Sequence, residues 1–550
     1  MNANSCKEPY LLALGRVDNL PNHWLKEGNF AIAPSTPIAI SPNQRFVIAG
    51  TAWLPQNKSS DPLQWIAQQW EQRETQTWEE VVGAFALAVW DRELQTLWCG
   101  RDRAGIQTLY YTINDSTHWI SNQLRALNPY HSNQLDCVAL RDYLTCAFVP
   151  GNRTFWQDVR EVRPGVAVQL PDEEIHAYWQ LQEHVTDEEQ PLTWHSDRLR
   201  ALLDQVVQEY LPENQPVGVF LSGGLDSSGV TALAAKFHAH PVHTYSIHFG
   251  KDCPSELEFS GIVAEHCQTQ HHIVEIPFKT MWDVLPETMA SLDDPIGDPL
   301  TVPNLLLARL AKESVGVVLN GEGGDPCFGG PKNQPMLINS LYSTVTQQET
   351  LQAYLISFQK CAADLPNLLL PDVWSKIQVE PWVFSDDLNS SQRYLNRLMA
   401  LNIKFKGADH ILTKVNNLTR AVGIEGRSPL FDQRVVDLSM QIPPEFKLSG
   451  VQEKVVLKQA LADLLPVAII HRPKSGMMVP VQLGFREHWN RQAKNLLLSR
   501  RAAIAPYLNQ SLIRDWLNYQ GDTWNRYGVK LWLLVSLELW LQGHGSGIRI

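Results

Sequence analysis

The chain has 550 residues, enough for two or three domains with sizeable cores, and an ordinary globular composition: 44% hydrophobic, 19% charged, mean hydropathy −0.21. A net charge of −12 with no basic run argues against a general nucleic-acid surface, and eight scattered cysteines without a CxxC pair fit neither a disulfide framework nor a zinc site. The start, MNANSCKEPY, has no basic stretch leading into an apolar core, and the most apolar segment, LWLLVSLELWL, is too short to span a bilayer and carries Glu538. The expectation is a cytoplasmic protein with neither nucleic-acid nor membrane partners.

Residues 1–180 hold many short apolar runs separated by turn residues: YLLALGRV, RFVIAGTAWL, AFALAVWD, TLWCGRD, TLYYT and THWISN. This spacing predicts a β-rich layered domain. One helix is expected over DPLQWIAQQWEQR, where Leu63, Ile66 and Trp70 recur at helical spacing. Residues 181–195 are polar and acidic and read as a linker. A helix is then expected to open at a Ser196-Asp197 cap, with Leu199, Leu202, Leu203, Val206, Val207 and Tyr210 along one face.

From 196 to 550 the pattern changes. Apolar runs (VGVFL, VHTYSIHF, HHIVEI, VGVVLN) alternate with helical stretches such as GIVAEH and LLARLAKE, which predicts a doubly wound parallel sheet. Val217–Ser228, VGVFLSGGLDSS, reads as a buried strand, a glycine turn and a helix start. Such a junction offers free N–H groups and a positive dipole end to an anion. Gly223 and Gly224 let the backbone approach closely, and the hydroxyls of Ser222, Ser227 and Ser228 can donate to phosphate oxygens. Asp226 would repel a phosphate unless a cation lay between them, which argues for bound Mg2+. A second glycine loop, NGEGGDPCFGG from Asn320 to Gly330, follows another apolar run and carries Glu322 and Asp325. In LDDPIGDPLTVPN the prolines point to a fixed loop around Asp293, Asp294 and Asp298. Arg427 and Asp432 in IEGRSPLFD are expected to form a structural ion pair, and HRPKSG places Lys474 in a loop after the helix that carries Lys454.

SGGLDSS resembles the pyrophosphate loop of the ATP pyrophosphatases, and with the other motifs nearly the whole chain resembles the asparagine synthetase family. The resemblance implies an N-terminal glutaminase-type αββα domain and a C-terminal synthetase domain. The latter would take ATP and Mg2+, adenylate a small-molecule or peptide carboxylate and pass it to an amine. Leu221 and Ile247 match positions that frame adenine, and Asn320 and Gly321 fall on the nucleotide side of the second loop. Asp226 and Asp325 match metal-binding acids. Glu322 matches the glutamate linked to the amine proton, and Lys474 the lysine that reaches the adenylate. Three departures stand out: Pro326 replaces an acid, Pro331 an aromatic, and Asn320 a common serine.

The glutaminase chemistry is broken at two points. Its cysteine nucleophile would follow Met1, yet residue 2 is Asn2, and Cys6 would serve only after loss of five residues. The Asn-Gly-Glu grip on glutamine is replaced by Ala49-Gly50-Thr51-Ala52-Trp53. The resemblance therefore implies an amide ligase fed by ammonia, or an intramolecular cyclase of the lasso-peptide or β-lactam synthetase kind that uses its substrate's own amine. A catalytically inactive nucleotide-binding protein stays open, as does a homodimer.

Overall fold

The computed structural model describes residues 9–57, 61–251, 253–330, 347–450, 452–472, 478–518 and 526–544. Two six-stranded antiparallel sheets build the first domain. One runs Val159–Glu161, Tyr110–Asn114, Thr117–Ser121, Leu11–Leu14, Phe30–Ile32 and Leu25–Glu27; the other runs Glu174–Ala177, Val166–Leu170, Thr96–Arg101, Ala84–Asp91, Phe46–Trp53 and Ile38–Ile40. Ala84–Asp91 is buried at every position, so AFALAVWD reads as an unbroken apolar run without alternation. One of its faces meets the other sheet through Ala86, Ala88 and Trp90, packed with Leu12, Ile32 and Ile120. Its other face lies under the expected helix, Pro62–Arg73, through Phe85, Leu87 and Val89 against Ile66 and Trp70. Asp61 caps that helix by accepting from the N–H groups of Leu63 and Gln64.

The remaining face of the first sheet lies under Leu124–Tyr130, where Tyr130 stacks on Trp119, and the core formed there continues into the second domain. Ala13, Tyr110 and Trp119 share one core with Tyr143 and Phe155 and with Leu533, Trp532 and Trp540 of the closing helix Tyr527–His544. Among the described residues no helix is long and apolar enough to cross a membrane.

The second domain is built on a five-stranded parallel sheet in the order Gln270–Glu275, Val242–His248, Val217–Phe220, Val317–Leu319, Glu425–Arg427. The chain order reverses at Val217–Phe220, so a crevice opens at the carboxyl ends of that strand and of Val317–Leu319. Both glycine loops leave from those two ends.

Two expectations are corrected. The long helix spans Leu192–Tyr210, and Ser196 is a buried residue inside it whose hydroxyl donates to the Thr193 carbonyl. Pro191, which has no N–H to give, sits at the N-cap and starts the helix earlier. Arg427 and Asp432 do not pair. Arg427 ends the fifth strand, with Glu425 and the Tyr210 carbonyl as partners and its guanidinium 4.5 Å from the centre of the Trp53 ring. Asp432 caps Gln433–Gln441 and binds Arg434 at 2.8 Å.

Candidate active site

The first loop is held by its own serines. Ser227 Oγ donates to the Gly224 carbonyl at 3.2 Å, lies 3.1 Å from Ser222 Oγ and accepts from the Ser222 N–H. Gly224 is the N-cap of the helix Leu225–Phe237 and supplies no side chain to its open N–H groups, so that terminus stays available to an anion. Gly223 sits at φ +75°, where a Cβ would stand 2.6 Å from the Ser260 nitrogen.

The second loop presses against the first so closely that only glycine fits. A Cβ on Gly321 would lie 2.4 Å from the Ser227 nitrogen, and one on Gly324 only 2.1 Å from Asp226 Cγ. Asn320 anchors this loop: its N–H and its amide both donate to the Arg427 carbonyl, and its Oδ1 accepts from the Glu322 N–H at 3.0 Å. That last bond needs a side-chain acceptor, which gives the asparagine a structural task at this position. Pro326 falls in the first turn of Gly324–Phe328, where its missing N–H costs nothing.

The two loops bring Asp226 and Asp325 together on one cation, Lys454, that no local motif marks. Lys454 Nζ lies 2.5 Å from Asp226 Oδ2 and 2.5 Å from Asp325 Oδ1, with its side chain only 2% exposed. Burial works against its charge, but the two carboxylates outweigh it and raise the ammonium above the ordinary lysine range. Two hard oxygen donors aimed at one positive charge suit Mg2+, which takes one or two carboxylates together with phosphate oxygens. Among the described residues no group of three or more His, Cys, Asp and Glu is placed to hold a metal, so the rest of its shell would have to come from phosphates and water.

Asp226, Asp325, Leu221, Ser222, Gly224, Ser227, Ile247, Asn320, Gly321 and Glu322 all line one cavity of about 450 Å³. Gly223 and Ser228 do not line it. Ser228, at the fourth helical position, is turned into the core with no exposure, so its hydroxyl is not placed to donate to a phosphate there. Lys474 lies outside the described residues, as do Pro331, Asn2 and Cys6. The nearby Arg472 donates to the Gly223 carbonyl, pairs with Glu256 and stacks 3.9 Å from the Phe259 ring centre, fixing the outside of the first loop.

The acids of LDDPIGD divide. Asp293 accepts from the Leu124 N–H and pairs with Arg420, and Asp294 accepts from the Phe155 N–H, so both join the two domains. Asp298 lines the cavity and pairs with Lys414 at 2.8 Å. Lys414 and His410 come from a helix more than a hundred residues further on, and no local motif marks them.

The sequence profile described as "Asparagine synthase" matches residues 198–542, and that described as "Glutamine amidotransferase domain" matches 57–179. The chain belongs to the asparagine synthase family. It is thereby an ATP-dependent carbon–nitrogen ligase. It is 25% identical to asparagine synthetase (glutamine-hydrolyzing) 1 of Bacillus subtilis strain 168, over 83% of this chain and 77% of that protein. A putative asparagine synthetase (glutamine-hydrolyzing) of Mycobacterium tuberculosis H37Rv is 26% identical over 85% of this chain and 77% of its own length. Asparagine synthetase B (glutamine-hydrolyzing) of Escherichia coli K12 is 24% identical over 72% and 60%.

Proposed function

We propose that the protein forms amides in two steps: a substrate carboxylate attacks the α-phosphate of ATP and releases pyrophosphate, and an amine then displaces AMP. The observation that supports this most is the convergence of Asp226 and Asp325, from two strand ends, beside an uncapped helix start. In this reading Ser222, Gly224 and Ser227 hold the pyrophosphate and Leu221 and Ile247 flank the adenine. Asn320 and Gly321 wall the nucleotide side. Mg2+, held by Asp226 and Asp325, would neutralise charge on the triphosphate. Lys454 fixes the spacing of the two acids. Lys474 stabilises the charge that grows on carboxylate and α-phosphate, and Glu322 takes the proton that the amine must lose.

The first substrate pair is aspartate with free ammonia. The N-terminal domain, residues 1–180, serves as scaffold without glutaminase chemistry, because Asn2 replaces the nucleophile and Ala49–Trp53 replaces the glutamine grip. Trp53 is engaged in packing, 4.7 Å from the Tyr210 ring and under Arg427. The same losses support a second reading, an intramolecular cyclase, which needs no ammonia at all; Pro326 in the cavity wall, where an acid is usual, favours a changed acceptor.

The test is ATP-dependent pyrophosphate release with aspartate, offering ammonium and glutamine in turn. Asparagine and AMP from ammonium alone are expected. Asparagine from glutamine would overturn the loss of glutaminase. Silence with both, while ATP still binds through Asp226, would move the substrate to the cyclase class.

A further inference from the structure

One wall of the cavity is built by an unusual element. Asn402–Leu412 is wound as a π-helix and continues into the α-helix Thr413–Val422. π turns are rare and recur at functional sites. The wide winding brings residues four to five apart to one side, and Asn402, Lys406, His410, Ile411, Lys414 and Val415 all line the cavity.

His410 is the anomaly in that wall. It is only 8% exposed, and its Nε2 lies 3.3 Å from Asp298 Oδ2. Yet among the described residues neither ring nitrogen makes a hydrogen bond of acceptable geometry. The ring is stacked on Phe148 of the first domain, with centroids 5.3 Å apart and planes at 9°, so it is held in place. Asp298 is thus a close but poorly aligned neighbour of Nε2, while Nδ1 is left without a partner among the described residues, which is costly for a buried imidazole unless something entering the cavity completes it.

We propose that His410 receives the nucleophile: it accepts a hydrogen bond from the N–H of the attacking amine and so aims the nitrogen lone pair at the acyl carbon. This rests on the amide-forming reading above and adds the amine side of the same site. An amine attacks only when uncharged. Lys406 and Lys414 on the same wall oppose an ammonium ion there, and Asp298 is already paired with Lys414. Burial, with help from Lys414, brings the imidazole down to about 4 despite Asp298, so His410 keeps a free lone pair at neutral pH. Lys414 also feels the charge of Glu322, which puts a proton acceptor on the same side of the cavity. As the C–N bond closes, the C–O bond to AMP breaks, its electron pair leaves with the phosphate, and the amine proton passes to Glu322. The ligand class is a small uncharged primary amine: ammonia or a substrate's own amino group.

The test uses hydroxylamine, a small amine that is uncharged at neutral pH, titrated into the full-length protein loaded with Mg2+ and α,β-methylene ATP. The His410 ring nitrogens, followed by NMR and assigned by their loss in His410→Phe, are expected to shift saturably. His410→Phe keeps the stack on Phe148 and removes both nitrogens. It should bind hydroxylamine about tenfold more weakly, roughly one hydrogen bond, with nucleotide affinity unchanged, both read for wild type and variants by calorimetric titration. His410→Gln, which restores a hydrogen-bonding group, should recover most of the loss and provides the measurement should the phenylalanine variant fail to fold. Equal hydroxylamine affinity in wild type and variants overturns the assignment. Failure of the wild type to bind the nucleotide overturns the amide-forming reading and the assignment with it.

Discussion

The two domains bury charge in opposite ways. Arg101 of the first domain is wholly enclosed. Its guanidinium donates to the carbonyls of Gly105, Gln107 and Val162 and to Glu161, so its hydrogen-bonding capacity is consumed by the fold. Arg163 likewise joins Asp409 across the domain boundary at 2.7 Å. In the second domain Asp226, Asp298, Asp325, His410 and Lys414, drawn from several segments, line one cavity, and Lys454 pairs with Asp226 and Asp325. The first arrangement holds the fold and its domain boundary together, and the second leaves its charges around an open cavity. Burial alone therefore does not separate the two; a shared empty volume does.

Substitutions can break this contrast. Asp226→Asn or Lys454→Met should cost the most, lowering ATP-dependent pyrophosphate release about 1,000-fold in steady-state assays while thermal unfolding remains cooperative. Arg163→Ala should act on stability, leaving Asp409 buried without its cation and costing ~3 kcal/mol in denaturant unfolding. Gly324→Ala places a Cβ against Asp226 Cγ and should lower kcat/KM about 100-fold by displacing the carboxylate, with little change in melting temperature. A large stability loss there would mean that the loop is structural first.

The smallest effect concerns Asp294. Burial, with the nearby charges of Glu161, Asp293 and Asp409, raises its carboxyl well above the usual range. The folded state therefore binds this proton more tightly than the unfolded chain, and the stabilisation present at low pH is lost as pH rises through the folded value. Asp294→Asn keeps an acceptor for the Phe155 N–H. It should melt higher than wild type at pH 8, with the gap closing toward pH 4. A constant gap across that range would rule out titration of this group.

The sequence disclosed whatever was contiguous. SGGLDSS and NGEGGD each place several site residues on one loop, and the alternation of apolar runs with helices identified the parallel sheet that aims both. His410 and Lys414 were not legible because their helix has an ordinary local pattern, and Lys454, expected inside a helix, instead caps Val455–Ala460 in a left-handed conformation that no motif marks; only the fold brings them together. The expected Arg427–Asp432 pair failed for a related reason. Opposite charges within one short motif suggested contact, but Arg427 ends a strand and reaches back to Tyr210, while Asp432 turns to cap the following helix. Glu425–Arg427 itself is too short and polar to announce a strand.

The core shared by Trp119, Phe155 and Trp540 also sets a timetable for biosynthesis. At 5–20 residues per second, roughly 20 to 80 seconds pass between the completion of the first sheet at Glu161 and the emergence of the closing helix. Until then Phe155 and Trp156, which meet Trp540 in the finished protein, lack that cover, and the nascent chain presents an aromatic surface to chaperones. Truncation before Tyr527 would make that state permanent and yield aggregates instead of a shorter enzyme.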